Sequence, residues 1–198
     1  MKAFKIIVIL FFSLFLLLQT YMIMATNRTE QQKFKLVQND KDIEIRFYPA
    51  STFATIQSNA KTYRDLSYPG FRKLAGYIFG GNESNAQISM TSPVHMDVSD
   101  SVSTMSFVMP SSYNSSNLPK PKDSNVRILT SSDEYVAVIR FGGYTNDKKL
   151  KYYSEKLKNL LIKKGIKAVG HYRFLGYNPP YQLFGRRNEV IVSVEWKE

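Results

Sequence analysis

Sliding this sequence along itself by 83 residues superimposes one half on the other, and that constrains the fold more than any other feature of the chain. Ala54 falls on Ala137, Ile56 on Ile139, Leu74 on Leu157, Tyr77 on Leu160, Ile78 on Leu161, Phe107 on Val190 and Met109 on Val192. Element types agree with the register. Strand patterns at 43–47 and 52–57 precede a helix over 69–79, where Phe71, Leu74 and Ile78 share a face. Two strands follow: 88–98, with Met90, Val94, Met96 and Val98 in one parity, and 103–109, with Met105, Phe107 and Met109. After an exposed Ser/Pro/Asn-rich connection at 110–125 the pattern recurs, as a strand at 135–141, a helix at 147–164 and strands at 171–177 and 189–196. The economical reading is an α+β fold of two βαββ half-units, about 40–109 and 126–196, related by a pseudo-twofold. Each unit alone would expose one sheet face. The expectation is therefore curled antiparallel sheets forming a distorted barrel with two packed helices. Such an arrangement leaves a groove between helix and sheet, where small ligands bind.

The repeat excludes the N-terminus, which has its own character. Lys2 and Lys5 precede an apolar run from Ile6 to Leu18, and a second run, Tyr21 to Ala25, follows two polar residues. Residues 1–25 read as a signal peptide or signal anchor, and 26–198 as the domain. Ala25 is small but Ile23 is not, so the cleavage cue is poor and the balance favours an uncleaved anchor about 30 Å long. The lysines then lie in the cytoplasm and the domain outside it, exported and membrane-anchored, or secreted or periplasmic if the segment is cleaved.

The chain has no cysteine, which excludes disulfides, thiolate nucleophiles, iron–sulfur ligation and covalent haem attachment. Its formal net charge of +11 favours anionic partners. The lysines from Lys148 to Lys167 surround Leu150, Leu157, Leu160 and Leu161 at helical spacing, so they read as a solvated helix surface and nucleic acid is not an expected partner. Three sequons, at Asn27, Asn82 and Asn114, matter only in a eukaryotic secretory pathway.

Catalytic motifs are missing: there is no G-x-S-x-G, no H-E-x-x-H and no carboxylate cluster. Of the two histidines, His95 shares strand parity with Asp97 and should face solvent. His171 opens a strand whose inward parity is open, between Tyr172/Phe174 and His171/Leu175/Tyr177, and it is the candidate metal ligand. The first helix of the repeat carries a second stripe, Tyr68, Arg72, Ala75 and Phe79, beside its core face. Ala75-Gly76 leaves a flat place there for a planar ring, with Arg72 for a carboxylate. The competing reading is that these small residues admit a neighbouring strand.

Four blocks in order carry a resemblance: Leu74, Tyr77, Gly80 and Asn82 leading to Ile88-Ser89-Met90-Thr91-Ser92-Pro93-Val94; Phe141-Gly142-Gly143-Tyr144; Gly176-Tyr177-Asn178-Pro179-Pro180; and Arg186-Arg187-Asn188-Glu189. From about Ile43 to Trp196 the chain resembles the SOUL haem-binding family. The resemblance implies two βαββ halves and non-covalent binding of haem b or another porphyrin along the first long helix and the loop after the proline pair. Here those places are Tyr68, Ala75, Gly76 and Tyr181-Gln182. Where some relatives offer a histidine as proposed iron ligand, this chain has Phe47. Met90-Thr91-Ser92-Pro93 and Arg186-Arg187-Asn188-Glu189 read as scaffold, Pro93 bending the chain and Arg187 sharing a strand face with Glu189. The expected function is a monomeric, non-enzymatic tetrapyrrole carrier, buffer or sensor. The alternatives are a tetrapyrrole-modifying enzyme using His171, or an amphipathic small-molecule module without haem.

Overall fold

The computed structural model describes residues 1–197; Glu198, the end of the expected 26–198 domain, lies outside the described residues. The elements are α1 (Lys2–Arg28), β1 (Glu30–Gln31), β2 (Lys35–Asn39), β3 (Glu44–Tyr48), β4 (Thr52–Ser58), α2 (Tyr63–Ile78), β5 (Thr91–Ser92), β6 (Val94–Asp97), β7 (Ser103–Val108), β8 (Val126–Thr130), β9 (Glu134–Gly142), α3 (Asp147–Lys164), β10 (Ala168–Gly176) and β11 (Arg187–Val194).

Nine strands form one antiparallel sheet in the order β2-β3-β9-β11-β10-β6-β7-β4-β8. With β2 set aside, exchanging β3 for β8, β4 for β9, β6 for β10 and β7 for β11 gives the same order read backwards, which is the expected pseudo-twofold. The register obeys it residue by residue. Ile45 pairs with Ala137, and their counterparts 83 residues away, Ile128 and Ala54, pair with each other. The two halves meet at β6 and β10, and each lends its first strand to the other's outer edge. The expected barrel closure is absent among the described residues: the half-sheets merge side by side into one open sheet, with β2 and β8 at opposite edges and no ladder joining them. β2 and β8 were not expected as strands, because these mostly exposed edge strands lack the apolar signal of the central ones.

Helices α2 and α3 lie on one face of the sheet. Leu66, Leu74, Tyr77 and Ile78 of α2 and Leu157 and Leu161 of α3 bury against Ile45, Ala54, Ile56, Met105, Phe107, Ala137, Ile139, Val190 and Val192. Thr62 caps α2 by accepting from Asp65 N at 3.1 Å, so the helix begins two turns before the expected Pro69. Asn146 caps α3, and Gly165, at φ 66°, ends it in the left-handed conformation, giving the expected 147–164. The helix starts meet: Asp147 Oδ1 accepts from Tyr63 N at 2.6 Å. The expected strand 88–98 breaks at Pro93 into β5 and β6.

Asn82, fully buried, donates to Tyr77 O and Ala86 O and accepts from Ala86 N and Ser84 Oγ, tying the end of α2 to the following turn. Its amide is spent on structure, which takes that sequon out of use. The N-terminal helix α1 is long and apolar enough to cross a membrane, a test that a signal sequence also passes.

Candidate functional site

The second face of the sheet carries Tyr48, Val136, Val138, Leu175, Tyr177 and Ile191, with a buried polar cluster among them. Arg46 of β3 donates to both carboxylate oxygens of Glu189 on β11, at 2.8 and 3.0 Å, and to Glu44 at 2.6 Å. Tyr177 donates to Glu189 at 2.7 Å, and Arg187 donates to it at 2.9 and 2.7 Å. The rings of Phe34 and Tyr177 lie against Arg46 and Arg187, at 4.3 and 3.9 Å. Burial opposes ionisation of Glu189, but the bonds and charge of Arg46 win and hold its carboxyl below the usual range. Every polar group here already has a partner. The cluster joins β3 to β11 across β9 and offers no open valence to a ligand.

His95 does not face solvent. Residues 30–31 pair with β5, which brings Gln32 over the sheet, and His95 Nε2 lies 2.7 Å from Gln32 Oε1 and edge-on to Phe53. Burial, with repulsion from Arg173 second, lowers its pKa to about 3. It is a neutral structural histidine.

His171 occupies a different setting. β10 pairs with β6 only from Phe174 to Gly176, and a register shift between Val169 and Arg173 turns its earlier residues away. The strand, the chain after β6 and the first turns of α3 thus part around a groove of about 690 Å³. Met96, Val98, Leu150, Tyr172, Phe174 and Val190 give it apolar walls, and Lys151, His171 and Asp100 stand at its polar side. Arg173 also lines it, but its guanidinium is committed to Glu134 at 3.0 and 2.7 Å. His171 is mostly exposed, with Nδ1 3.6 Å from Asp97 Oδ2, and Asp97 Oδ1 is buried without a hydrogen-bond partner. A carboxylate facing Nδ1 leaves Nε2 as the nitrogen for a metal. Both strand parities left open in the sequence are buried, Phe174 toward α3 and Leu175 and Tyr177 toward the second face.

The α2 stripe lies elsewhere. Tyr68 is 72% exposed, Arg72, Gly76 and Phe79 are exposed, and Ala75 is half-buried. Around Gly76 no heavy atom lies within 4 Å of where a Cβ would stand, so no strand packs there. Gln182 is buried and spent: it accepts from Thr26 Oγ1 at 2.8 Å and donates to Phe184 O at 2.9 Å, while Tyr181 beside it is exposed. Phe47 packs on Tyr135. The structure therefore does not gather the expected residues at one place. None of the stripe lines the groove of His171. Sequence reading missed Lys151, Phe174 and Leu150 as groove residues; the only signal was the pairing of Tyr172 and Phe174 in one parity.

The SOUL heme-binding protein family matches residues 29–193. This chain belongs to the SOUL family. Among SOUL relatives, Heme-binding protein 1 of Xenopus laevis is 29% identical over 172 residues, covering 81% of this chain and 90% of that protein. Heme-binding protein 2 of Mus musculus is 32% identical over 156 residues, covering 74% and 75%, and the Homo sapiens protein of that name is 31% identical over 155. The family and these relatives are named for haem binding. Solved structures extend the fold further. A hydrolase from Listeria innocua superimposes with TM-score 0.54 at 9% identity, covering 80% of this chain and 94% of that one. The EcmrR C-terminal domain does so at 0.55 and 10%, covering 78% and 98%. At these identities the likeness to the SOUL chain is one of fold alone.

The residues present fit a porphyrin. The groove is of ligand size, with apolar and aromatic walls for the ring, Lys151 for a carboxylate and one imidazole for iron. Among the described residues no group of three His, Cys, Asp or Glu side chains could hold a bare metal ion.

Proposed function

We propose that this SOUL protein is a non-enzymatic carrier, buffer or sensor of haem or a related tetrapyrrole, held to a membrane by α1 with its domain outside the cytoplasm. The ring enters the groove between α3 and β10. The observation that carries this is the groove itself: about 690 Å³ with Met96, Leu150, Tyr172 and Phe174 as walls and His171, backed by Asp97, at the rim. Burying a ring face of about 200 Å² there contributes about 5 kcal/mol before association costs, so apolar contact leads and ligation by His171 adds to it. His171 Nε2 would hold a bound iron by donating its lone pair. The protein's own part is to bury the ring, pair its carboxylates with Lys151 and exclude water.

The second reading keeps the ring on the α2 stripe, favoured by the open surface at Gly76 between the exposed Tyr68 and Phe79. One titration separates the two. Haemin added to the protein, followed by its absorbance, should bind the Ala75→Trp variant as it binds the parent and should bind Leu150→Trp at least about tenfold more weakly, about 1.4 kcal/mol. The reverse pattern would move the site to α2, and two variants that both bind as the parent would refute both placements.

A further inference from the structure

Many polar groups of the loop between β10 and β11 are paired within the protein, although Arg186 Nε is buried without a hydrogen-bond partner. Arg186 Nη1 donates to Pro179 O at 2.6 Å and to Gln182 O at 2.8 Å, and Nη2 to Asn178 O at 3.3 Å. Gln182 Nε2 donates to Phe184 O, and Tyr144 donates to Pro180 O at 2.9 Å. Two more groups at the tip pair with α1: Gln19 Nε2 donates to Tyr181 O at 3.3 Å and Gln19 Oε1 accepts from Leu183 N at 3.0 Å. These paired polar atoms turn inward while the large side chains turn out, with Tyr181 60%, Phe184 55% and Leu183 42% exposed. In water that arrangement gains nothing. It is what hydrocarbon demands, where an unpaired N–H or C=O costs several kcal/mol.

The contact with α1 sets the depth. Gln19 is a polar residue within the apolar run and is buried, at 5% exposure. At 1.5 Å per residue it lies about 9 Å inside Ala25, the end of the apolar stretch. Whatever binds Gln19 at that height sits below the membrane surface if α1 spans the bilayer. We infer that the loop from Pro179 to Phe184 is a second membrane contact, which dips Tyr181, Leu183 and Phe184 into the outer leaflet of a phospholipid bilayer beside α1. This rests on the anchored reading of α1. Its consequence is a fixed domain orientation, with the common start of α2 and α3 toward the lipid, since Tyr144, just before the cap of α3, bonds the loop.

The absence of cysteine makes the test clean. Full-length protein carrying Leu183→Cys or Phe184→Cys, labelled with the fluorophore NBD, is reconstituted in phosphatidylcholine vesicles, and Ile162→Cys, at the far end of α3, serves as reference. Carbonate washing first establishes whether α1 is integral. Labels at 183 and 184 should brighten and lose most of their emission to nitroxide-bearing lipid, while the label at 162 should keep its own. Equal, water-like emission at all three sites in carbonate-resistant protein would overturn the loop contact and leave the anchor standing. Release by carbonate would overturn the anchor and the loop contact together.

Discussion

Arg46 and Glu189 meet across β9 through two parallel hydrogen bonds, although their strands are not neighbours and 143 residues separate them in sequence. Both side chains are buried. Removing one leaves the other as an uncompensated charge, so Glu189→Ala should cost about 3–5 kcal/mol, read as a lower urea midpoint at unchanged slope. Replacing both by methionine should cost less than either single change. Because the carboxyl is held below its usual range, this contribution is intact above about pH 4.5, the ordinary value, and is lost as pH falls further.

His95 gives a second pH effect in a separate window. In the folded protein it stays neutral down to about pH 3, whereas an unfolded histidine takes up its proton near 6.5. Between these values the unfolded chain binds the extra proton, so stability is complete above 6.5 and falls as the pH drops toward 3. With the ring half-buried, the loss should be on the order of 2 kcal/mol. Urea titrations at several pH values between these limits should show that slope in the parent and lose it in His95→Asn.

Three glycines near α2 should respond differently to alanine. At Gly76 the new methyl meets open space, and the change should stabilise the protein by about 0.5–1 kcal/mol through helix propensity. At Gly70 it would stand 3.1 Å from Met105 Sδ and 3.2 Å from Ile56 Cδ1, which cancels the gain. At Gly81 it would lie 2.5 Å from Gly76 O, and thermal unfolding should show a marked loss. An unchanged Gly81→Ala protein would contradict the close turn at the end of α2.

Burial as the main source of haem affinity predicts that iron-free porphyrin binds within about tenfold of haemin, about 1.4 kcal/mol. His171→Ala should lower haemin affinity to that of the iron-free ring and leave the latter unchanged. Complete loss of haemin binding in that variant would make ligation, rather than the apolar walls, the source of affinity.

What could be read from the sequence followed physical contrast. Helix α3 was legible to the residue because Asn146, Gly165 and a clean apolar stripe mark it. Helix α2 was shortened because Pro69 looked like a start, when the Thr62-x-x-Asp65 cap lay upstream. The repeat already carried β8, since the 83-residue shift of β3 lands on it, but an edge strand buries too little to be seen directly. His95 was misplaced because parity assigns a face without saying what covers it, and the cover, Gln32, comes from a segment outside the repeat. The site was harder still. A groove arises where β10 leaves β6, a property of pairing geometry, whereas the α2 stripe was conspicuous because it is exposed.

Each half of this molecule reaches over and completes the other: β3 finishes the second half and β8 the first. A chain holding one unit would find this pairing for its leading strand only on the second strand of another copy. The single-chain protein has the topology of an arm-exchanged dimer with its two members joined end to end. Its halves cannot drift apart by parting at the β6–β10 seam, because two further ladders on opposite edges would have to unzip at the same time.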